Sequence, residues 1–233
     1  MNSAIVFKNV TKVYHGQIFG LKDINLEVEK GDFVFIVGHS GAGKSTLLKL
    51  LYRALLPSSG EVHVNNMNLL KLKDKDIPVF RRTLGVVFQD VKLLPRKTAI
   101  ENISLCLEML GLSDREVKKR AYKSLELVKL SGKSRAFPNE LSGGEQQRLA
   151  IARAISYYPT LLIADEPTGN IDLKTSWEIM SIFENLNRMG MTILITTHNP
   201  IIVSKMNKRV IQLKNGQVES DSLEPTPIVY EQI

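Results

Sequence analysis

The sequence predicts an α/β fold with a mostly parallel core sheet, an antiparallel β subdomain and an inserted helical subdomain. Short, continuous apolar runs are typical of parallel strands buried on both faces, and helical stretches separate them here. One early segment alternates apolar and polar residues instead, which indicates a half-exposed, antiparallel strand. A helical stretch over about residues 97–158 then interrupts the succession of strands, and it predicts an inserted helical lobe.

The strands follow from these two patterns. Ile24, Leu26 and Val28 alternate with polar residues and predict the half-exposed strand. A continuous apolar run is too short for a helix and indicates a buried strand when turn residues bound it. The buried runs and further short strands are predicted at residues 33–37, 84–88, 161–164, 193–195 and 210–213.

The helices are recognised by their first turns and their apolar faces. Ser113, with Glu116 three residues later, forms a capping box, a signal that starts a helix. Trp177 lies on the apolar face of a later helix, so we expect it in the core. We expect residues 1–219 to form a single domain, and residues 220–233, polar with two prolines, to form a loosely ordered tail.

Composition and charge restrict the function classes. The chain has 233 residues, of which 43% are hydrophobic and 24% charged, values typical of a globular domain rather than a disordered chain. No apolar run approaches the ~18 residues that span a bilayer. The first residues lack a signal-peptide pattern, so we expect any membrane role to come from docking. The net charge is +7, but acidic residues interrupt the basic stretches at 71–82 and 115–133, and we expect no nucleic-acid partner. The single Cys106 is expected to be an inert core thiol.

Residues 38–45 read GHSGAGKS and match the phosphate-loop pattern at every fixed position, between a buried strand and an amphipathic helix. Small residues let successive backbone N–H groups converge on phosphate oxygens, and the helix start adds its positive dipole end. Lys44 is expected to reach the β- and γ-phosphates of ATP, and the Ser45 hydroxyl to bind Mg²⁺. The nucleotide-binding residues predicted here are Gly38, Ser40, Gly41, Gly43, Lys44, Ser45 and Thr46.

Two adjacent carboxylates end the buried run at residues 161–164. The carboxyl end of a parallel strand opens into the crevice where ligands bind. Asp165 is therefore placed to hold Mg²⁺, directly or through water, and Glu166 to act as the general base for the attacking water.

Residues 141–146 read LSGGEQ and predict a second anion-binding helix start. Ser142 and Glu145 fit a capping box, and the helix is expected to run to about Tyr158 and to stop at Pro159. One chain does not need two such sites for one γ-phosphate. The economical solution is a homodimer formed with ATP, in which the helix start of each chain caps the nucleotide of the other.

The LSGGEQ segment resembles the signature of the ABC transporter ATPase family, and other family motifs follow in order over about residues 4–219. The resemblance implies the P-loop ABC ATPase fold and hydrolysis of ATP to ADP and phosphate. It implies that Tyr14 stacks on adenine, that Gln89 contacts Mg²⁺ or water, and that His198 contacts the γ-phosphate. The catalytic residues are then Glu166, His198, Lys44 and Gln89, the metal ligands are Ser45, Gln89 and Asp165, and the residues acting in trans are Ser142, Gly143, Gly144 and Asp172.

Segments between these motifs resemble the cell-division members of the family, in forms typical of Gram-positive bacteria. The segments are residues 31–35, 85–90, 93–95, 137–140 and 175–178. The resemblance implies an integral membrane partner resembling FtsX, a peripheral position at the cytoplasmic face of the membrane, and control of cell-wall hydrolases across it. The alternative is the ATPase of a lipoprotein-release or macrolide-export transporter, whose motifs are almost the same.

Three local features qualify this resemblance. Basic residues at 71–82 and 92–97 flank Gln89, on the surface that in the family receives the membrane partner. His39 replaces a proline usual in the phosphate loop, and little effect is expected because the position contributes backbone. Asn199 replaces an aspartate common after the switch histidine. If that aspartate orients the histidine, hydrolysis here is slower or more dependent on the partner.

Overall fold

The structure is a computed structural model that describes residues 2–222. Its strands are β1 (Ser3–Tyr14), β2 (Ile18–Glu29), β3 (Phe33–Val37), β4 (Ser59–Val64), β5 (Met67–Asn68), β6 (Leu84–Val87), β7 (Leu161–Asp165), β8 (Thr192–Thr196), β9 (Arg209–Lys214) and β10 (Gln217–Ser222). Its α-helices are α1 (Lys44–Leu51), α2 (Ile77–Arg81), α3 (Ala99–Glu108), α4 (Asp114–Leu127), α5 (Gly143–Ile155), α6 (Leu173–Arg188) and α7 (Pro200–Met206). The described residues form two compact units, one of residues 2–81 with 192–222 and the other of residues 82–191.

The first unit contains an antiparallel sheet in the order β2-β1-β4-β5 and the strands β8, β3, β9 and β10 side by side. The predicted half-exposed strand is confirmed as part of β2, where Ile24, Leu26 and Val28 are buried and the residues between them exposed. β3 is buried along its whole length and pairs in parallel with β8 and β9. Both faces of an inner strand in a parallel sheet are covered by packed helices, which explains its uninterrupted apolar sequence.

The second unit is built around the parallel pair β6 and β7. Helix α5 contacts β6 and also packs against α3, α4 and α6. The close approach of α5 to β6 depends on Gly85, because a Cβ there would lie 2.8 Å from the Ala154 carbonyl oxygen. Helix α5 therefore has a fixed place beside the strand that leads to Gln89.

Several predicted details differ from the structure. Helix α5 ends at Ile155 rather than near Tyr158, and Tyr158 has a positive φ of 58° that an α-helix does not allow. Trp177 was expected in the core but is only half-buried, at the edge of the face of α6 that is turned to the core. Its buried residues are Ser176, Ile179, Met180, Ile182, Phe183 and Leu186. Cys106 is likewise half-buried rather than fully enclosed.

The predicted helical lobe and tail can be placed only in part. Helices α3, α4 and α5 occupy the stretch predicted as a lobe and belong to the second unit, together with β6, β7 and α6. Residues 220–222, the first of the predicted tail, are paired in β10, and residues 223–233 lie outside the described part of the chain. Among residues 2–222, no helix is both long and apolar enough to cross a bilayer.

Candidate functional site

The phosphate loop leaves the carboxyl end of β3 and enters α1, whose N-cap is Gly43. A side chain at Gly38 would overlap the Leu213 carbonyl oxygen, and a Cβ at Gly43 would lie 2.7 Å from the Gly20 carbonyl oxygen. Both glycines also have positive φ, 150° and 108°. The loop therefore runs so close to neighbouring backbone, and in such a conformation, that only glycine fits at these two positions.

Lys44 lies across the inside of this loop. Its Nζ donates hydrogen bonds to the carbonyl oxygens of Gly38, at 2.6 Å, and His39, at 3.1 Å. The residue is only 8% exposed, and a cation with so little solvent needs acceptors close by. The first N–H groups of a helix have no partner within it, so α1 points donors at the same place. A loop that holds a cation beside such donors is chemically suited to a polyphosphate.

His198 follows β8 in the first unit, at the same edge of the strands as the phosphate loop. In the parallel pairing of β3 and β8, Ile36 lies opposite Thr196, and the Thr197 N–H continues the pairing to the Ile36 carbonyl oxygen at 3.2 Å. Because the two strands run side by side in one direction, their carboxyl ends coincide. The exposed His198 is therefore at the level of the loop that begins at Gly38.

Asn199 is used as a helix cap. Its Oδ1 accepts hydrogen bonds from the N–H groups of Ile201, at 3.0 Å, and Ile202, at 3.3 Å, at the start of α7. Asparagine and aspartate are about equally good N-caps. The side-chain oxygen of Asn199 is thus engaged by α7, and one carboxylate oxygen of an aspartate at this position would be engaged in the same way.

Tyr14 lies beside the start of α1. Its hydroxyl is 3.0 Å from Oγ1 of Thr46, its ring is 5.7 Å from the Lys12 Nζ, and the residue is 37% exposed. A Cβ at Gly20 would lie 2.5 Å from Cε2 of Tyr14, so the absence of a side chain at Gly20 makes room for the ring. We did not single out Gly20 from the sequence, although an isolated glycine in a strand pattern is a signal of close approach.

In the second unit, the carboxylates and Gln89 also meet at one strand edge. β6 and β7 are parallel, with Val87 opposite Ala164. Asp165 and Glu166 end and follow β7, and Gln89 follows β6 by two residues, so the three side chains leave the pair at the same level. Asp165 and Glu166 are half-buried, and Gln89 is exposed.

Glu166 has a left-handed backbone conformation, with φ of 45°. Non-glycine residues take this conformation rarely, and it is concentrated at functional positions. The turn is tight, because the Gly169 N–H donates to the Glu166 carbonyl oxygen at 3.1 Å and a Cβ at Gly169 would lie 3.3 Å from Oε2 of Glu166. The carboxylate of Glu166 therefore lies close to Gly169, over the turn that follows Glu166.

The predicted capping box at the start of α5 is confirmed. Oγ of Ser142 accepts from the Glu145 N–H at 3.2 Å, and Oε2 of Glu145 accepts from the Ser142 N–H at 2.9 Å. Ser142 and Gly143 are exposed, whereas Gly144 is buried. Thr175 packs so closely on Gly144 that a Cβ there would overlap its Cγ2. The two glycines are therefore different in kind: one is open to solvent, and the other lets α5 pack on α6.

Asp172 is the N-cap of α6. Its Oδ1 accepts from the Thr175 N–H at 3.0 Å. Hydrogen bonds from Thr175 hold the pKa of the Asp172 carboxyl below its usual value. The carboxylate is exposed at a helix start, where the helix dipole favours a negative charge.

The chemistry of these residues fits ATP with Mg²⁺. The first unit has a glycine-rich loop that holds a buried ammonium group beside the start of a helix, as a phosphate chain requires. The hydroxyl of Ser45, the carboxylate of Asp165 and the amide of Gln89 are oxygen donors of the type that Mg²⁺ prefers.

Comparison with known proteins identifies the family. The sequence model of the family described as ABC transporter matches residues 21–169. The cell division ATP-binding protein FtsE of Streptococcus pneumoniae serotype 2 is 51% identical over 94% of this chain and 95% of its own length. The FtsE proteins of Bacillus subtilis and Escherichia coli K12 are 47% and 40% identical, over 93% and 92% of this chain and 95% and 96% of their own lengths.

Solved structures agree. The ATP-binding cassette MJ0796, in a dimeric post-hydrolysis state bound to ADP and Pi, is similar with a TM-score of 0.86 and 39% identity, over 95% of this chain and 100% of its own. The cbiO1 protein of Clostridium perfringens, part of the ABC transporter complex cbiONQ, has a TM-score of 0.89 and 29% identity, over 95% of this chain and 89% of its own. The chain belongs to the ABC transporter family and is one of its ATPases.

Proposed function

We propose that this chain is the ATP-binding and hydrolysing subunit of a cell-division ABC complex of the FtsE–FtsX type. ATP-driven closure of a dimer would be coupled to an integral membrane partner resembling FtsX, and through it to cell-wall hydrolases. The observation that carries the proposal is the identity of 40–51% with FtsE proteins over more than nine-tenths of both chains. The intact phosphate loop, with Lys44 held inside it, supports the ATPase part.

The proposed nucleotide site assigns one task to each residue type. Lys44 neutralises the β- and γ-phosphates and the side chain of Tyr14 stacks on adenine, while loop N–H groups bind phosphate oxygens. Stacking is consistent with the partly exposed ring of Tyr14 beside Thr46. The phosphate-binding residues proposed are Gly38, Ser40, Gly41, Gly43, Lys44, Ser45 and Thr46.

For hydrolysis, Glu166 is proposed to accept a proton from the attacking water as the phosphoryl group is transferred. Lys44 and His198 stabilise the charge that develops on the γ-phosphate oxygens. Ser45, Gln89 and Asp165 are proposed to hold Mg²⁺, which would neutralise charge on the phosphates when bound. The strained backbone at Glu166 supports its role, because such strain is often found at reacting groups.

We propose that residues 1–219 act as one ABC ATPase domain and that two chains bind ATP head to tail. Ser142, Gly143, Gly144 and Asp172 would then contact the nucleotide held by the other chain. The exposed start of α5 supports this: its capping box engages the N–H groups of Ser142 and Glu145, and the helix itself offers no acceptor to those of Gly143 and Gly144, which can attract an anion. Dimeric cassettes occur among the similar structures.

For the location, we propose a peripheral position at the inner face of the membrane, to which basic residues at 71–82 contribute. Two arginines at the end of this stretch are unsuitable for a test of this proposal, because they also hold local structure. The Arg81 guanidinium donates to the carbonyl oxygens of Tyr52 and Arg53, at 3.1 and 3.2 Å, and Arg82 donates to that of Met109 at 3.3 Å. Charge reversal at either arginine would therefore also disturb local structure.

The exposed lysines of this stretch give a cleaner experiment. A triple variant in which Glu replaces each of Lys71, Lys73 and Lys75 should have a smaller membrane-bound fraction in fractionated cells and unchanged ATP binding. The matched control reverses three exposed cations of α4, namely Arg115, Lys118 and Lys119. Equal loss of the membrane fraction in both variants would show that only overall charge matters, and unchanged binding in the first would contradict the proposal.

The proposed biological role is tested by trapping the complex. In the variant Glu166→Gln, ATP should bind and the dimer should stay closed because the base is missing. Affinity purification from cells of the source organism, followed by mass spectrometry, should recover an FtsX-like membrane protein with cell-wall factors. Recovery of a lipoprotein-release or macrolide-export permease would retain the ATPase and overturn the division role. Lys44→Ala, which should not bind ATP, is the control.

A further inference from the structure

The loop that bears Gln89 is tied to helix α5 by one arginine. This segment, the Gln89 loop, comprises residues 88–98 and joins β6 to α3 within the second unit. Arg153, on α5, donates from one terminal nitrogen to the Lys92 carbonyl oxygen at 2.7 Å and from the other to the Val91 carbonyl oxygen at 2.9 Å. Both carbonyls lie within three residues of Gln89, so the guanidinium fork determines where this part of the loop lies.

The contact with Lys92 is made at a strained point. Lys92 has φ of 50°, in the left-handed region that a residue with a side chain avoids. A backbone in this region persists only where its surroundings hold it. The hydrogen bond from Arg153 to the carbonyl of Lys92 supplies such a constraint, and the shorter of the two bonds is the one on the strained residue.

The environment of Arg153 is unfavourable for a cation, apart from the two loop carbonyls that accept its hydrogen bonds. Burial lowers the pKa of the guanidinium, and Cys106 and Tyr157 oppose this only in part, although Arg153 remains charged. Within residues 2–222, its hydrogen bonds go to the two loop carbonyls, and no carboxylate is paired with it. A half-buried cation without a carboxylate is costly, so structural stability alone gives a weak reason for an arginine here.

The far end of the Gln89 loop is fixed independently. Asn102, on α3 and 1% exposed, donates from Nδ2 to the carbonyl oxygens of Leu94, Lys97 and Thr98, at 3.2, 2.9 and 3.0 Å, and accepts from the Leu94 N–H at 2.8 Å. Residues 94–98 are therefore held from α3. The stretch from Gln89 to Lys92 follows β6, and Arg153 holds its Val91 and Lys92 carbonyls.

We propose that Arg153 is a positioning residue for ATP hydrolysis: it holds the Gln89 loop so that the amide of Gln89 is presented at the carboxyl edge of β6. This inference rests on the proposed role of Gln89 as a contact of Mg²⁺ or of the attacking water. Arg153 itself touches neither nucleotide nor metal in this proposal, and it acts only through the backbone of Val91 and Lys92.

The experiment compares substitutions at Arg153 in two backgrounds. Arg153→Met removes both donors, whereas Arg153→Lys keeps the charge but cannot reproduce the two parallel bonds of the fork. Each is made in the natural chain and in Gln89→Ala. The readouts are kcat, KM for ATP, the Mg²⁺ concentration that gives half-maximal ATPase activity, and the midpoint of urea unfolding.

In the natural chain, Arg153→Met should lower kcat and raise the half-maximal Mg²⁺ concentration by about tenfold each, as is usual for residues that orient metal contacts. KM for ATP should change less than about twofold, because ground-state binding of the nucleotide is retained. The kcat and the half-maximal Mg²⁺ concentration of Arg153→Lys should lie between those of the natural chain and those of Arg153→Met. In the Gln89→Ala background, Arg153→Met should change kcat by less than about twofold, since residues that act through one another are not additive.

The control is Arg148→Lys. Arg148 lies on the same helix, and its terminal nitrogen pairs with Glu178 on α6 at 3.2 Å, so it does not contact the Gln89 loop. Its kcat and Mg²⁺ dependence should stay at the natural values. If Arg153→Met fails to fold, as judged by urea unfolding, Arg153→Lys carries the comparison.

Three negative outcomes are distinguishable. If Gln89→Ala impairs turnover but Arg153 substitutions lower kcat by the same factor in both backgrounds, Arg153 does not act through Gln89 and only this inference fails. If Gln89→Ala itself leaves kcat and Mg²⁺ dependence unchanged, the proposed role of Gln89 fails as well. A loss of stability in Arg153→Lys without a change in kcat would also overturn the inference.

Discussion

Lys44 and Glu166 both occupy states that cost free energy at the level of a single residue. Lys44 is a cation that is 8% exposed, and Glu166 has a left-handed backbone. Local contacts offset these costs: the carbonyls of Gly38 and His39 accept from Lys44, and the Gly169 N–H donates to Glu166. Residues held in costly states by their own loops are pre-organised for a ligand, because little rearrangement remains when it binds.

The single cysteine gives a residue-scale prediction about pH. Burial raises the pKa of the Cys106 thiol above its usual value, and the neighbouring Arg153 opposes this only in part. The thiolate is the reactive form, so less of it is present at a given pH than in a free thiol. Alkylation of the folded protein by iodoacetamide, followed by mass spectrometry, should therefore be slower than that of glutathione at pH 8.

The rate should still rise with pH above the point at which glutathione levels off. Urea-unfolded protein serves as the control, because exposure should restore an ordinary rate. A folded protein that reacts as fast as its unfolded form would contradict the assignment of Cys106 to a desolvated site.

At the scale of elements, α5 combines a stabilising start with the proposed nucleotide contact. Ser142→Ala should reduce the free energy of unfolding by about 1 kcal/mol, because the cap is lost. It should also greatly lower ATPase activity if Ser142 contacts the nucleotide of the other chain. The measurements are urea unfolding and steady-state phosphate release.

Ser113→Ala is the matched control for that effect. Oγ of Ser113 accepts from the Glu116 N–H at 3.4 Å at the start of α4, for which no functional role is proposed. Its stability should fall by a similar or smaller amount while turnover persists. Equal turnover in the two variants would limit Ser142 to a capping role.

The elements also show what local sequence can and cannot predict. The alternation around Ile24 and the capping box at Ser142 were predictable because the signals lie within a few residues of one another. The fork from Arg153 to the Gln89 loop was not, because it joins residues 61 and 62 positions apart. Trp177 was placed wrongly because it lies at the edge of the buried face of α6, between the buried Ser176 and the exposed Glu178, and the apolar pattern alone does not specify how far that face extends.

The candidate site was predictable to a similar extent. The motifs carry the phosphate loop and the strand-end carboxylates, because spacing within a motif specifies both. The engagement of Asn199 and Asp172 as helix caps follows from where α7 and α6 begin, and an isolated motif does not specify that. The conformation of Glu166 depends on its turn with Gly169 in the folded chain.

At the scale of the whole molecule, the proposed functional groups are divided between the two compact units along the chain. Tyr14, Lys44 and His198 belong to the first unit, and Gln89 and Glu166 to the second. The proposed head-to-tail dimer adds a further division, since each nucleotide would need one chain for its phosphate loop and the other for its signature segment. This division can be tested by complementation.

Two inactive variants should restore one another when mixed. Lys44→Ala removes phosphate binding. Gly143→Arg blocks the signature segment, and it is structurally tolerable because a Cβ at Gly143 meets no atom within 4 Å. Each variant alone should be inactive. In a mixture, half of the random dimers would be mixed and hold one intact site of two, which predicts up to about a quarter of the natural turnover.

The control mixes Lys44→Ala with Lys44→Met, which leaves no intact site in any dimer. Phosphate release would be measured after the chains have exchanged. Absence of complementation in mixtures shown by native mass spectrometry to contain mixed dimers would contradict contacts in trans.

The packing of Gly144 on Thr175 has a consequence for how such chains diverge. A methyl group gained at position 144 would overlap Cγ2 of Thr175 in its present rotamer, so Thr175 would have to rotate or be replaced. A smaller side chain at 175 would accommodate alanine at 144 without such a change. In an alignment of related sequences, positions 144 and 175 should therefore covary, although the two motifs are far apart along the chain.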